Sequence, residues 1–309
     1  MLDAASKEKT VTLYHSNPNT ANVIFWFERK YGSKYGIHVE TFKAIAADLV
    51  SRVEAERTSK QPAGDVLVIN DTNYFKTLQT ANNLVKLDTL PCAALWKDNA
   101  TYFHGFVAET EITPLVVAWN TKLVPNGIKS YADLADKKLG GLIGYATITA
   151  DTYKGWFKWL EGTQPTILQT LKDQNARAYD SSAPLIQGLA AGEVAVAINT
   201  TPSIAAGMVA KGAPIAYALF DKSFAVSVST TVLSFAKHPN AALVLANYMM
   251  SPEGQALLCP TGTGCVSPLA SVNQTPADMK RIDKIFDISE WPADAKAAYT
   301  THFNSILGG

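Results

Sequence analysis

Five histidines and three cysteines are the residues of this 309-residue chain best suited to metal or nucleophilic chemistry. The histidines are His15, His38, His104, His238 and His302, and no two stand at i,i+2 or i,i+4, so no local zinc pair exists. The chain has no G-x-S-x-G elbow, no Walker A loop and no G-x-G-x-x-G turn. Asp71-Thr72-Asn73 offers oxygen ligands but lacks the rest of a calcium loop. No catalytic residue, resident metal or cofactor is therefore expected. The histidines read as ordinary surface or supporting groups, and His238, just before Pro239 at a helix start, reads as exposed.

Cys259 and Cys265 enclose Pro260-Thr261-Gly262-Thr263-Gly264, a turn-rich loop that can bring two sulfurs together. A disulfide there would contribute about 2 kcal/mol and implies an oxidising compartment. The alternative is two unpaired small residues flanking a loop. Cys92, beside Pro91, reads as a packing residue.

The elements that would position such groups alternate between strand and helix. Thr10–Tyr14 reads as a strand, and 20–31 as a helix with Val23, Ile24, Phe27 and Tyr31 on one face. His38–Phe42 alternates like a second strand. Residues 45–57 carry Ile45, Leu49 and Val53 at helical spacing, with Asp48 and Arg52 as an i,i+4 pair. Gly64-Asp65 opens the buried run Val66–Ile69. This order is the grammar of a parallel α/β sheet. Leu115–Trp119 is another strand, after which the alternation restarts: a short helix over 130–135, a strand over 140–145, and helices over 152–161 and 184–191, the last closed by Gly192. A strand over 195–199, a helix over 204–211 and a β-prone run over 226–235 follow. Pro239–Met250 is an apolar helix, and Ser251-Pro252-Glu253 starts the next. The expected organisation is two α/β domains with a cleft between them, residues 8–112 plus 230–275 and residues 113–229 plus 276–309.

Ligand sites in open α/β sheets lie at the carboxyl ends of strands. The loops there are 15–20, 70–73, 146–152 and 199–203, rich in Ser, Thr and Asn and nearly free of Lys and Arg. Hydroxyls combined with free N–H groups at helix N-termini hold anionic oxygens without a full positive charge. Ser16, Asn17, Thr147, Thr149, Thr201 and Ser203 are the candidates, against the alternative that each only caps its helix. Asp71 and Asp151 could meet an amine. Trp119 and Tyr153 could stack on a ring, whereas Trp156 and Trp159 read as core.

Lys plus Arg and Asp plus Glu are 27 each, a net charge of zero that disfavours nucleic acid as a partner. No window of 18 apolar residues spans a bilayer. Met1–Lys9 is short and polar and does not read as a signal peptide.

Several phrases in order resemble a known family: Ala63-Gly64-Asp65-Val66-Leu67; Pro114–Lys122 followed by Tyr131-Ala132-Asp133-Leu134; Gly188–Ile198; and Asn247-Tyr248-Met249-Met250-Ser251-Pro252-Glu253-Gly254-Gln255. Together they resemble the type II extracytoplasmic solute-binding proteins of ABC importers, nearest to the ferric iron, thiamine and phosphonate cluster. The resemblance implies two lobes joined by two crossover strands, near 113–119 and 226–231, that close on a ligand by hinge motion. It implies a monomer located in the periplasm or otherwise outside the cytoplasm, a small-molecule ligand, a membrane permease as partner, and no enzyme activity. Iron-binding members place adjacent tyrosines where this chain has Thr200-Thr201-Pro202-Ser203, and a carboxylate where it has Asn70 beside Asp71. A small organic oxyanion is therefore the expected ligand. Ferric iron is the alternative, kept open by Tyr14, His15 and Asp71. A two-lobe enzyme such as a transferase like porphobilinogen deaminase, or a sensory domain, are the alternatives of another class.

Overall fold

The computed structural model describes residues 1–16, 19–96, 102–260, 265–269, 271–272, 282–286 and 291–308. In chain order the elements are α1 (Leu2–Glu8), β1 (Thr10–His15), α2 (Thr20–Phe27) running into a π turn (Glu28–Gly32), α3 (Ser33–Tyr35), β2 (His38–Lys43), α4 (Ala46–Ser59), β3 (Val66–Ile69), α5 (Thr72–Thr80) and β4 (Ala108–Pro114). Next come β5 (Val116–Asn120), β6 (Ile143–Ala146), α6 (Asp151–Thr163), α7 (Ile167–Asp173), β7 (Arg177–Tyr179), α8 (Ser182–Ala191), β8 (Val196–Thr200), α9 (Pro202–Val209) and β9 (Ile215–Ala218). The chain ends with β10 (Ser223–Val232), α10 (Pro239–Met250), α11 (Pro252–Leu258), β11 (Ile282–Phe286) and α12 (Ala293–Leu307). None of the described helices is long and apolar enough to cross a membrane.

The chain divides into two compact units, passing from one to the other at Ile112/Thr113 inside β4 and at Val226/Ser227 inside β10. The first unit holds Met1–Ile112 and the returning segment that carries α10, α11 and both cysteines of the 259–265 pair. Its strands run β2-β1-β3-β10, with β4 against β10. Strands β1, β2 and β3 are parallel, so their carboxyl ends, at His15, Lys43 and Ile69, share one edge. Val66–Ile69 is buried throughout, as a central strand covered on both faces must be. The second unit carries the order β7-β6-β8-β5-β9. There β6, β7 and β8 are parallel and β5 runs antiparallel to β8 and β9, so Ala146, Tyr179 and Thr200 end on a common edge.

Side-chain packing explains the helix boundaries. Val23 and Phe27 of α2 are fully buried, with Ile24 and Tyr31 packed against the same core. Leu49 and Val53 of α4 are buried, but Ile45 is 67% exposed because the helix begins one residue later and Ile45 is its N-cap. Gly192 ends α8 at φ 81°, a conformation that favours glycine. The Ser251 hydroxyl accepts from the Gly254 amide at 3.2 Å and caps α11.

Two buried carboxylates organise the first unit, and both revise sequence expectations. Arg52 bonds Glu56 (3.1 Å) and the Tyr14 hydroxyl (2.7 Å) rather than Asp48, because Glu56 is the buried acid on that face. Glu56 also accepts from Tyr14 Oη at 2.5 Å and from the amides of Ala63 and Gly64, each at 3.0 Å. Gly64 is needed at this joint, since a Cβ there would lie 2.6 Å from the Tyr14 ring. His238 is not exposed. It is drawn into the protein by Asp65, which is fully buried and accepts from the His238 ring at 2.9 Å.

Burial alone would raise the Glu56 carboxyl. The hydrogen bonds from Tyr14, the Gly64 and Ala63 amides and Arg52 outweigh it and hold the group below the usual carboxylate range. A carboxyl depressed in the folded state contributes stability that is present above its unfolded value of about 4.3 and lost as pH falls through the folded value. Urea unfolding from about pH 6 down to about pH 3 is expected to show this acid loss in the wild type and a smaller one in Glu56→Gln.

Candidate functional site

In the first unit, the edge where β1 and β3 end carries Ser16, Asn19, Thr20, Asn70 and Asp71. Ser16 is half-buried and its amide donates to the Val68 carbonyl at 3.1 Å, which continues the β1–β3 ladder by one residue. Asn17 lies outside the described residues. Asn70 is half-buried at the end of β3. Asp71 caps α5, accepting from the Tyr74 amide at 3.0 Å. Asn19 is the N-cap of α2 but makes no side-chain cap, because its amide group donates to Glu111 at 3.1 Å. Thr20, fully buried in the first turn of α2, has a hydroxyl with no hydrogen-bond partner.

In the second unit, β6 and β8 end side by side through an unusual clamp. Asn199 is buried at φ 55°, a left-handed conformation that Asn tolerates better than most residues. Its side chain accepts from the Ala146 amide and donates to the Ala146 carbonyl, each at 2.9 Å, standing in for a backbone ladder pair. The Asn199 carbonyl in turn accepts from Ser182 Oγ at 3.2 Å, and Tyr153 Oη lies 2.7 Å from that hydroxyl. Tyr153 is thereby tied into this brace.

Directly beyond the clamp on each strand stands a threonine, Thr147 after Ala146 and Thr200 after Asn199. Both hydroxyl oxygens are buried and have no partner. Thr149 is exposed in the turn before α6. Thr201 is the N-cap of α9 without a side-chain cap, and its hydroxyl lies 3.3 Å from Ser203 Oγ. Helix α6 has Ala150 as its N-cap and so no side-chain cap either. Thr147, Thr149, Thr201 and Ser203 therefore share one edge of this sheet with two helix N-termini.

The structure does not bring every candidate to that edge group. Trp119 lies opposite Val196, at the other end of β8 from Thr200, and packs its indole over Gly127. Four residues of strand, about 13 Å, separate it from the threonines. Asp151 begins α6 but is paired with Lys296 of α12 at 2.7 Å and Lys154 at 3.4 Å.

The sequence points to the loops 15–20 and 199–203 but does not single out Thr20, Thr200 and Asn199 as candidates within them. Their only signal was position, since each is a polar residue at the boundary of an apolar strand or helix. Buried hydroxyls are normally satisfied. Among the described residues four buried side-chain polar atoms lack a partner, and three are the Thr20, Thr147 and Thr200 hydroxyls at strand-end loops. The fourth is the Trp156 indole nitrogen, within the core of the second unit.

The loss of Asn199 is expected to loosen this edge. Asn199→Ala strands the Ala146 amide and carbonyl and should cost about 1–3 kcal/mol in chemical unfolding. Asn199→Gly relieves the backbone conformation without restoring the bonds, so a similar loss in both variants assigns the effect to the clamp.

Elsewhere, the disulfide Cys259–Cys265 is present, and a carboxylate oxygen of Glu111 lies with both sulfurs inside 4.8 Å. Sulfurs joined in a disulfide offer no thiolate, so the trio is no metal site as it stands. Cys92 is buried in the core of the first unit, and burial pushes its thiol up to about 11.

The architecture is two α/β units, each with hydroxyl-bearing residues at the carboxyl ends of its strands. Residues 27–286 match the family model for bacterial extracellular solute-binding proteins, and the chain belongs to that family. It has the fold of ABC-transporter substrate-binding proteins. A substrate-binding protein of an ABC transporter from Agrobacterium tumefaciens superposes with TM-score 0.80 at 15% identity, over 96% of this chain and 94% of that one. Iron-bound HitA from Pseudomonas aeruginosa gives TM-score 0.69 at 19% identity, over 96% and 99% of the two chains. The periplasmic binding protein AfuA from Actinobacillus pleuropneumoniae, with fructose-6-phosphate bound, gives 0.66 at 18%, over 97% and 98%. No curated protein sequence matches significantly.

Proposed function

We propose that the protein is the solute-binding component of an ABC importer and captures a small organic oxyanion, bearing phosphate, phosphonate, sulfonate or carboxylate, by hinge closure of its two units. It acts outside the cytoplasm as a monomer, delivers its ligand to a membrane permease and does no chemistry on it. The observation that carries this reading is the set of partnerless buried hydroxyls of Thr20, Thr147 and Thr200 at strand-end loops. A buried donor left unpaired costs about 1–3 kcal/mol. Such a cost is tolerable where a ligand supplies the acceptor, and anionic oxygens are the strongest acceptors. The N-termini of α2, α6 and α9, none capped by a side chain, add N–H groups and dipole at the same loops.

Iron capture would need anionic oxygen ligands. Tyr14 is unsuited, since its hydroxyl is bonded to Glu56 and Arg52, and burial together with the Glu56 bond pushes its phenol up to about 12. The loop after β8 offers Thr200, Thr201 and Ser203 in place of phenolates. Iron-bound HitA and AfuA with bound fructose-6-phosphate both share this fold, so the choice between the two ligands rests on the loop residues and not on the fold. Calorimetric titration of ligand-stripped protein with fructose 6-phosphate, inorganic phosphate, an aminophosphonate and ferric citrate tests the proposal. Saturable heat with at least one organic oxyanion is expected. Citrate without iron is the control, and heat with ferric citrate but with neither citrate nor any other organic oxyanion would overturn it.

A further inference from the structure

We propose that Glu111 is the positioning residue for Asn19, the N-cap of α2, and that the oxidation state of Cys259–Cys265 sets its hold; the consequence for ligand capture rests on the function proposed above. Glu111 is 2% exposed on β4, and its carboxylate accepts from the Asn19 amide group at 3.1 Å. Asn19 is the N-cap of α2 and the neighbour of Thr20, whose hydroxyl is partnerless. On its other side Glu111 meets the disulfide, with a carboxylate oxygen and both sulfurs within 4.8 Å of one another. The register of this contact is fixed next door, where Ile112 and Val266 exchange two backbone hydrogen bonds of 2.9 Å each.

Disulfide sulfurs cannot donate a hydrogen bond, so the oxidised pair does not compete with Asn19 for Glu111. A thiol donates, although weakly. Reduction by a dithiol moves two electrons and two protons onto the pair, breaks the S–S bond, and leaves the reductant as its own disulfide. The two sulfurs, no longer bonded, must then separate to van der Waals distance beside a buried carboxylate. They also become S–H donors that compete with Asn19 for Glu111. Asn19 loses part of its hold, and the start of α2 frays.

The test is amide hydrogen exchange on the full chain, without ligand, before and after reduction with a dithiol, with thiol counting to confirm that the pair has opened. A peptide covering residues 19–27 is expected to exchange about five- to tenfold faster after reduction, the effect of losing one ordinary hydrogen bond on a local opening. Peptides covering β6 and β8 should not change. Glu111→Ala should exchange fast in both redox states, and Glu111→Gln, which keeps the acceptor oxygen, should remain slow when oxidised. If Glu111→Ala fails to fold, Asn19→Ala replaces it in the comparison. Where the pair resists the dithiol, Cys259→Ser supplies the broken bond genetically. An unchanged 19–27 peptide after the bond is opened, or a redox response that survives in Glu111→Ala or Asn19→Ala, overturns the proposal. No ligand enters this measurement, so its failure is distinct from a failure of the titration that tests the function.

Discussion

Asp65→Ala is expected to lower the unfolding free energy by about 3–5 kcal/mol, the range for removing one partner from a buried charged network. Asp65 is fully buried at the start of β3. It accepts from the Thr12 amide at 2.7 Å and from the backbone and ring nitrogens of His238, each at 2.9 Å. It therefore joins β1, β3 and the start of α10. Alanine leaves three donors facing a void. Asp65→Asn keeps one acceptor oxygen and should lose less. Urea unfolding followed by fluorescence reads both. A loss below about 1 kcal/mol for the alanine variant, the level of a surface change, would show that the joint is not what holds these elements.

The second large effect is the opposite in sign for stability. The double variant Thr147→Val, Thr200→Val removes two buried hydroxyls that have no partner in the protein. Valine is close in shape, so folding stability should hold or rise, because an unsatisfied polar group is replaced by an apolar one. Affinity for the ligand should fall, since each hydrogen bond to a charged oxygen is worth about 1.5–3 kcal/mol. Together the two changes predict a dissociation constant raised by at least about a hundredfold. A residue kept only for packing would hold or gain stability in the same way but leave binding unchanged. This pairing of a more stable protein with a weaker binder is the mark of a site whose unsatisfied groups serve a ligand.

Much of the fold is legible in the sequence because its central elements carry strong periodicity. The β3 and β8 segments and the α10 boundaries follow from apolar runs bounded by Gly, Pro and Asn, and β1 and β2 from alternation, although β2 is mostly exposed. The strands that periodicity does not reveal are short or atypical. Arg177–Tyr179 has two exposed residues of three, and Ile215–Ala218 is mostly half-buried, so neither reads as a buried run. Ala108–Pro114 carries Glu109, half-buried, and Glu111, buried, in a segment that is buried almost throughout, which composition alone argues against. Glu111 finds Asn19, a pairing across 92 residues that no local pattern announces. Helix α2 passes into a π turn at Glu28, where Glu28 reaches the Val39 amide at 2.6 Å and the His38 ring at 2.9 Å, tertiary bonds invisible to helical spacing.

The site is legible at the level of loops and less so at the level of atoms. Strand-end loops rich in Ser, Thr and Asn are visible in the sequence, and Thr147, Thr201 and Ser203 do share an edge. Only geometry distinguishes a capping side chain from a free one. The Asp71 carboxylate is engaged by the Tyr74 amide and that of Asp151 by Lys296, whereas the Thr147 hydroxyl is engaged by nothing. Asn199 reaches the neighbouring strand through a left-handed backbone that sequence does not reveal.

Thermal unfolding of ligand-stripped wild type and of the Thr147→Val, Thr200→Val variant, each against phosphorylated sugars, aminophosphonates, carboxylates, polyamines and ferric iron, tests most directly whether the strand-end hydroxyls hold an oxyanion. A ligand at a hundred times its dissociation constant adds about 2.7 kcal/mol, a readily visible shift. An organic oxyanion is expected to raise the midpoint of the wild type and to do so far less in the variant. A shift with ferric iron alone, or an oxyanion shift of equal size in both proteins, would contradict oxyanion capture by these threonines.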